Sequence, residues 1–145
     1  MALFGSGYFY IKIGLGLGEN PLQEFIFKPK ATVTIGKLKK SRLVIPSWRH
    51  KEKFPFLKYT RKGYCLCLTE EISGRLSVQG KPITLDQLYE HNLIKKEKDS
   101  YQIFISEKVR GKFVFDGVRI LLTFVPKYLI QNQKGKEKKS STTAT

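Results

Sequence analysis

A chain of 145 residues, 41% of them apolar, can build one hydrophobic core and is too apolar for a disordered polymer. Its 27 Lys and Arg against 12 Asp and Glu leave a formal charge of +15. That balance favours an anionic partner, whether nucleic acid, an anionic membrane surface or an acidic or phosphorylated protein, and it equally describes a lysine-padded surface. No window approaches the roughly 18–20 apolar residues of a membrane span. Residues 1–7 lack the basic start of a signal peptide, so a soluble cytoplasmic domain is expected.

Short apolar alternation punctuated by turn residues runs through most of the chain and predicts an all-β domain. Strands are expected at residues 8–15, 24–28, 32–35 and 43–45, with a basic connection at 36–42. Gly14, Gly16 and Gly18 loosen the end of the first strand. Residues 56–60 and 64–68 form a hairpin, and Leu76–Val78 and Ile83 follow across Gln79-Gly80-Lys81-Pro82. The spacing from Asp86 to His91 predicts one short helical turn after Thr84. The last strands are expected at 101–106, 112–115 and 119–125, and Asp116-Gly117 is a strong signal for a two-residue hairpin turn. About ten short strands in this length predict a two-sheet β-sandwich over residues 1–128. Residues 129–145, rich in Lys, Ser and Thr, predict a disordered tail or linker.

Catalytic patterns are missing. There is no Gly-x-Ser-x-Gly elbow and no phosphate-cradling glycine loop, and Glu70 and Glu71 are adjacent, which on a strand sends them to opposite faces. Cys65, Cys67, His50 and His91 do not have the spacing of a metal site, so neither metal nor cofactor is expected. The two cysteines, two apart on a strand, share one face and read as small core residues at the edge of disulfide reach. A non-enzymatic binding module is the expectation.

The basic connection offers the chemistry of binding. Gly36-Lys37-Leu38-Lys39-Lys40-Ser41-Arg42 brings four cations and a hydroxyl to one end of the sandwich, and Ser47-Trp48-Arg49-His50-Lys51 follows one strand later. Phosphate recognition needs cations for charge and a hydroxyl or amide for direction. The residue types alone leave two readings open, a phosphate site and a solvated, solubilising loop.

The order of three segments resembles a forkhead-associated (FHA) domain. They are Thr34-Ile35-Gly36-Lys37, Ser41-Arg42-Leu43-Val44-Ile45, and Ser73-Gly74-Arg75 with Ser77, Val78, Gly80 and Ile83. Residues 10–126 are similar to the FHA-like N-terminal domain of AgmX/PglI-type gliding-motility and TonB-family envelope proteins. Phe54-Pro55-Phe56-Leu57, Leu85-x-x-Leu88, Tyr101-x-Ile103, Arg110-Gly111-Lys112-x-Val114-Phe115 and Leu122-x-Phe124-Val125-Pro126 carry that likeness.

The resemblance implies an FHA-like sandwich at the inner face of a membrane, part of a longer protein and docked in an envelope or motility assembly. It implies phosphothreonine-peptide binding by Gly36, Lys37, Ser41, Arg42, Ser47, Arg49, Ser73, Gly74 and Arg75. In that arrangement Arg42 or Arg49 joins Lys37 and Ser47 on the phosphate while Ser73 holds the peptide backbone. The sequence departs from the family pattern at Lys37, where an arginine is usual, at Ser73, where an asparagine is usual, and at Arg75, where a threonine is usual, which leaves open a partly degenerate scaffold that docks an unmodified protein. Lysine keeps the charge but loses the two-pronged fork of arginine. The alternative from another class is a basic electrostatic binder of nucleic acid or anionic membrane.

Overall fold

The computed structural model describes residues 9–98 and 100–133. The chain forms an all-β sandwich of two six-stranded sheets. In chain order the strands are β1 (Phe9–Leu17), β2 (Gln23–Phe27), β3 (Val33–Gly36), β4 (Leu43–Val44), β5 (Phe54–Thr60), β6 (Gly63–Leu68), β7 (Ser73–Val78), β8 (Lys81–Thr84), β9 (Lys95–Glu97), β10 (Ser100–Ile105), β11 (Val109–Phe115) and β12 (Val118–Pro126). The first sheet runs β2-β1-β12-β11-β7-β8 and the second β4-β3-β5-β6-β10-β9. Among the described residues, only β3 and β4 pair in parallel.

Strand alternation builds the core. Ile11, Ile13 and Leu15 of β1 face Phe124, Leu122 and Ile120 in register, and Phe113 and Phe115 of β11 continue the same face. The opposing sheet contributes Ile35, Phe54, Phe56, Leu57 and Leu66, all nearly inaccessible to solvent. Phe56 meets Phe113 edge-on across the sandwich, with ring centroids 5.4 Å apart. Each such fully buried side chain contributes on the order of 1.5–3 kcal/mol.

The turns follow their residue types. Asp116 and Gly117 both have positive φ, as the tight β11–β12 hairpin requires. The helix α1 (Leu85–Glu90) is held by a capping box in which the Thr84 hydroxyl accepts from the Gln87 amide and the Gln87 side chain accepts from the Thr84 amide. It buries Leu85 and Leu88.

Several expectations are corrected. β1 runs on through Gly14 and Gly16 to Leu17, because Gly16 leaves room for the Arg119 guanidinium to cross over it and donate to the carbonyls of Gly18 and Asn20. β9 was not expected: Lys95, Lys96 and Glu97 are all exposed, so this edge strand carries no apolar alternation. Residues 127–133 form a helix, α2 (Lys127–Gln133), directly after β12, so the chain keeps regular structure beyond the predicted boundary at 128. The remaining tail residues, 134–145, lie outside the described residues. Trp48, on the connection after β4, is 1% exposed and wedged against Phe54 and Phe115. Tyr59 is half-buried against Tyr64. Cys65 and Cys67, by contrast, are buried free thiols of the core, as expected. They alternate with Tyr64, Leu66 and Leu68 and sit across from Lys58, Phe104 and Gln102. Burial pushes the Cys67 thiol up to about 12, which leaves it unreactive near neutral pH. Among the described residues no helix is long and apolar enough to cross a membrane.

Gly74 shows how tightly the strands pair. Its φ is +147°, and a side-chain carbon there would overlap the Lys112 carbonyl on β11. Gly74→Ala is expected to cost about 1–3 kcal/mol through backbone strain, read as a lower urea midpoint with Trp48 fluorescence as the probe.

Candidate functional site

The register brings the C-terminal ends of β3, β4 and β6 beside the start of β5 in the second sheet. In the first sheet it sets the start of β7 beside the end of β11. Contact between Trp48 and Phe115, with ring centroids 5.6 Å apart, joins the two sheets there. The connections 45–53, 69–72 and 116–117 therefore share one end of the sandwich. The turn at 18–22 joins them, because the Gly18 amide donates to the Gly117 carbonyl at 2.9 Å.

The basic connection behaves differently from the expectation of a loop standing at the tip. Because β4 is parallel to β3, residues 37–42 must carry the chain back before β4 can begin. They return past β2, the edge strand of the other sheet. The result is a cleft of about 480 Å³ between the 18–22 turn, β2 and residues 39–42. Lys39, Lys40 and Arg42 line it, Asn20 and Gln23 add amides, and no carboxylate is among the lining residues. Leu15 and Phe25 give it an apolar floor. Arg42 is held at both ends: its amide donates to the Thr34 hydroxyl at 2.9 Å, and its guanidinium lies 5.9 Å from the Phe27 ring centroid.

Three of the nine candidate residues prove to be structural here. Gly36 is buried, and its missing side chain makes room for both the Glu52 carboxylate and the Ser41 hydroxyl. Ser41 is 5% exposed and accepts from the Lys53 amide at 3.2 Å, so its hydroxyl ties the two connections together even though the residue also lines the cleft beside Arg42. Gly74 serves the close approach of β7 to β11.

The others are dispersed. Ser47 and Arg49 line a second, smaller cleft of about 240 Å³ with His50, Glu71 and Asp116. His50 Nε2 lies 3.0 Å from Glu71 Oε1 and links two of the end connections. Ser73 donates its hydroxyl to the Val114 carbonyl at 3.3 Å. Arg75 lines a third cleft, on the outer face of the first sheet. Lys37 is exposed and lines none of these clefts. Arg42 and Arg49 thus line different clefts; Ser47 shares the cleft of Arg49, and Lys37 lines neither. Lys39, Lys40, Asn20 and Gln23 take the places beside Arg42. The two lysines were visible within the basic run, but Asn20 comes from the 18–22 turn and Gln23 from the start of β2, which only the tertiary fold brings near.

Glu52 is the residue that sequence reasoning missed. Its carboxylate accepts from the amides of Lys37 at 2.9 Å and Leu38 at 3.1 Å, clamping the start of the basic connection. The Lys37 amide bond, then the Leu38 amide bond and the charges of Lys37 and Lys40, hold its carboxyl below the ordinary value of 4.5, against an opposing desolvation effect. A folded-state value below the unfolded one means the clamp stabilises fully above about pH 4.5 and is lost as pH falls through the lowered value. In urea titrations between pH 7 and pH 3, Glu52→Gln should lower the midpoint at pH 7 and reduce its fall toward pH 3.

Comparison with protein-family models, with curated proteins and with solved structures gave no significant match to this chain.

Proposed function

We propose that this domain is a non-enzymatic protein-docking module that receives a phosphorylated peptide in the cleft between β2 and the basic connection. One observation carries the reading. Three cations, Lys39, Lys40 and Arg42, line a cleft of about 480 Å³ with no carboxylate in its walls, beside an apolar floor. Cations in a lining free of carboxylates suit a phosphate group, and the floor of Leu15 and Phe25 suits the apolar side chain next to it. The amides of Asn20 and Gln23 can direct the peptide backbone. The resemblance to FHA-like domains of envelope and motility proteins supports phosphothreonine as the modified residue and a cytoplasmic, membrane-proximal assembly as the setting.

Isotope-labelled protein titrated with matched phosphothreonine and unmodified peptides tests this. Phosphate-dependent amide shifts are expected at residues 18–23 and 37–42. Charge-assisted hydrogen bonds contribute about 1.5–3 kcal/mol each, so Lys40→Ala with Arg42→Ala should weaken binding by at least tenfold. Equal shifts with both peptides would overturn the phosphate reading. Affinity for random-sequence nucleic acid that collapses between 50 and 200 mM salt would favour an electrostatic binder of nucleic acid instead.

A further inference from the structure

The outer face of the first sheet carries a second cationic cleft, independent of the one between β2 and the basic connection. Along β11 the residues alternate strictly: Val109, Gly111, Phe113 and Phe115 are buried, whereas Arg110, Lys112 and Val114 are exposed. The neighbouring β7 places Arg75 directly across from Lys112, and Ser77 directly across from Arg110. Cross-strand neighbours have Cβ atoms about 4.5–5.5 Å apart, and the next residue on the same face is roughly 7 Å along the strand. Three cations and a hydroxyl therefore share a patch the size of one tetrahedral oxyanion with its donors around it.

Arg75, Ser77, Arg110 and Lys112 line a single cleft of about 410 Å³, closed on one side by Gly80 and Pro82 of the β7–β8 turn. No acid lines it, and among the described residues none of the three cations meets a carboxylate at ion-pair distance. The contrast with the rest of this face is informative. Lys12 pairs with Glu24 at 3.1 Å, and Arg119 spends its guanidinium on two backbone carbonyls. Arg75 and Lys112, by comparison, are like charges set directly opposite one another, an arrangement that destabilises a sheet unless an anion lies between them.

We infer that Arg75, Ser77, Arg110 and Lys112 form a binding site for a phosphate-class oxyanion on the outer face of the β7–β11 pair. Two arginine forks and an ammonium supply charge and direction, and Ser77 supplies a neutral donor. The anion could be free phosphate or the phosphoryl group of a lipid head; the chemistry of recognition is the same for both.

The test uses the full chain. Amide spectra are recorded with sodium phosphate and with sodium chloride at matched ionic strength. Pelleting is measured with phosphatidylcholine vesicles with and without phosphatidic acid. Each is repeated for Arg75→Gln/Arg110→Gln and for Lys112→Gln. Saturable phosphate-specific shifts at residues 75–77 and 110–112, weakened at least tenfold in the double variant, would assign free phosphate. Vesicle binding that requires phosphatidic acid and both arginines, without a response to free phosphate, would assign the lipid head group. Both variants should melt at or above the wild-type temperature, because they relieve repulsion and leave the core untouched; if the double variant nevertheless unfolds, Lys112→Gln carries the comparison. The proposal falls if phosphate shifts match chloride shifts and vesicle binding is unchanged by the substitutions. Shifts confined to residues 18–23 and 37–42 would also sink it while leaving the docking cleft intact.

Discussion

The two-residue alternation of the central strands β1, β12 and β11 governs both the interior and the surface of this domain. Every second side chain of β11 enters the core, where Phe113 meets Phe56 and Phe115 meets Trp48. The positions between them, Arg110 and Lys112, are forced outward by the same geometry. A shift of one residue in register would bury two cations and expose two phenylalanines, so the core fixes the outer charge pattern as firmly as it fixes itself. Gly74 lets β7 lie close against β11 while Gly111 makes room for the Phe113 ring, and the pairing sets Arg75 across from Lys112.

The second organising feature is the single parallel pair, β3 with β4. An antiparallel pair could have been joined by a tight turn at the tip of the sandwich. A parallel pair requires the chain to travel back, and that return path lays Lys39, Lys40 and Arg42 along the open edge facing β2. Glu52 and Ser41 pin the connection at its start and near its end, packed around the bare Cα of Gly36. The basic residues consequently stand on a held segment, which lowers the conformational entropy lost when a ligand is engaged. Edge strands elsewhere are blunted: β4 has two residues, β8 contains Pro82, and β9 is entirely charged. Docking through side-chain clefts is therefore better served than docking by strand addition.

Cationic residues fall into separate groups in space. One lies between β2 and the basic connection, one beside Trp48 where Glu71 and Asp116 temper it, and one on the outer face of β7 and β11. The first and third have no acid in their linings, and this is the physical ground for reading both as anion sites. The second is internally compensated by the His50–Glu71 contact and suits a supporting role. The high net charge thus has a definite distribution over the surface.

Much of the architecture was legible in the chain itself. Apolar alternation located eleven of the twelve strands to within a few residues, Asp116-Gly117 marked the last hairpin, and Thr84 marked the start of the short helix, because each of these signals is local. β9 was invisible, since an edge strand exposed on both faces leaves no apolar trace. The grouping of the candidate site was not legible either. Sequence order placed Arg42, Arg49 and Arg75 in one reading frame of loops, whereas strand direction and face sent them to three different clefts. Residue types alone determined that this is a basic β-sandwich with cations on its connections. Which cations share a surface, that Glu52 clamps the amides of Lys37 and Leu38, and that Arg75 stands beside Arg110 and Lys112 were decided by pairing register and the parallel β3–β4 crossover. Those relations span tens of residues and exist only once the sheets have closed.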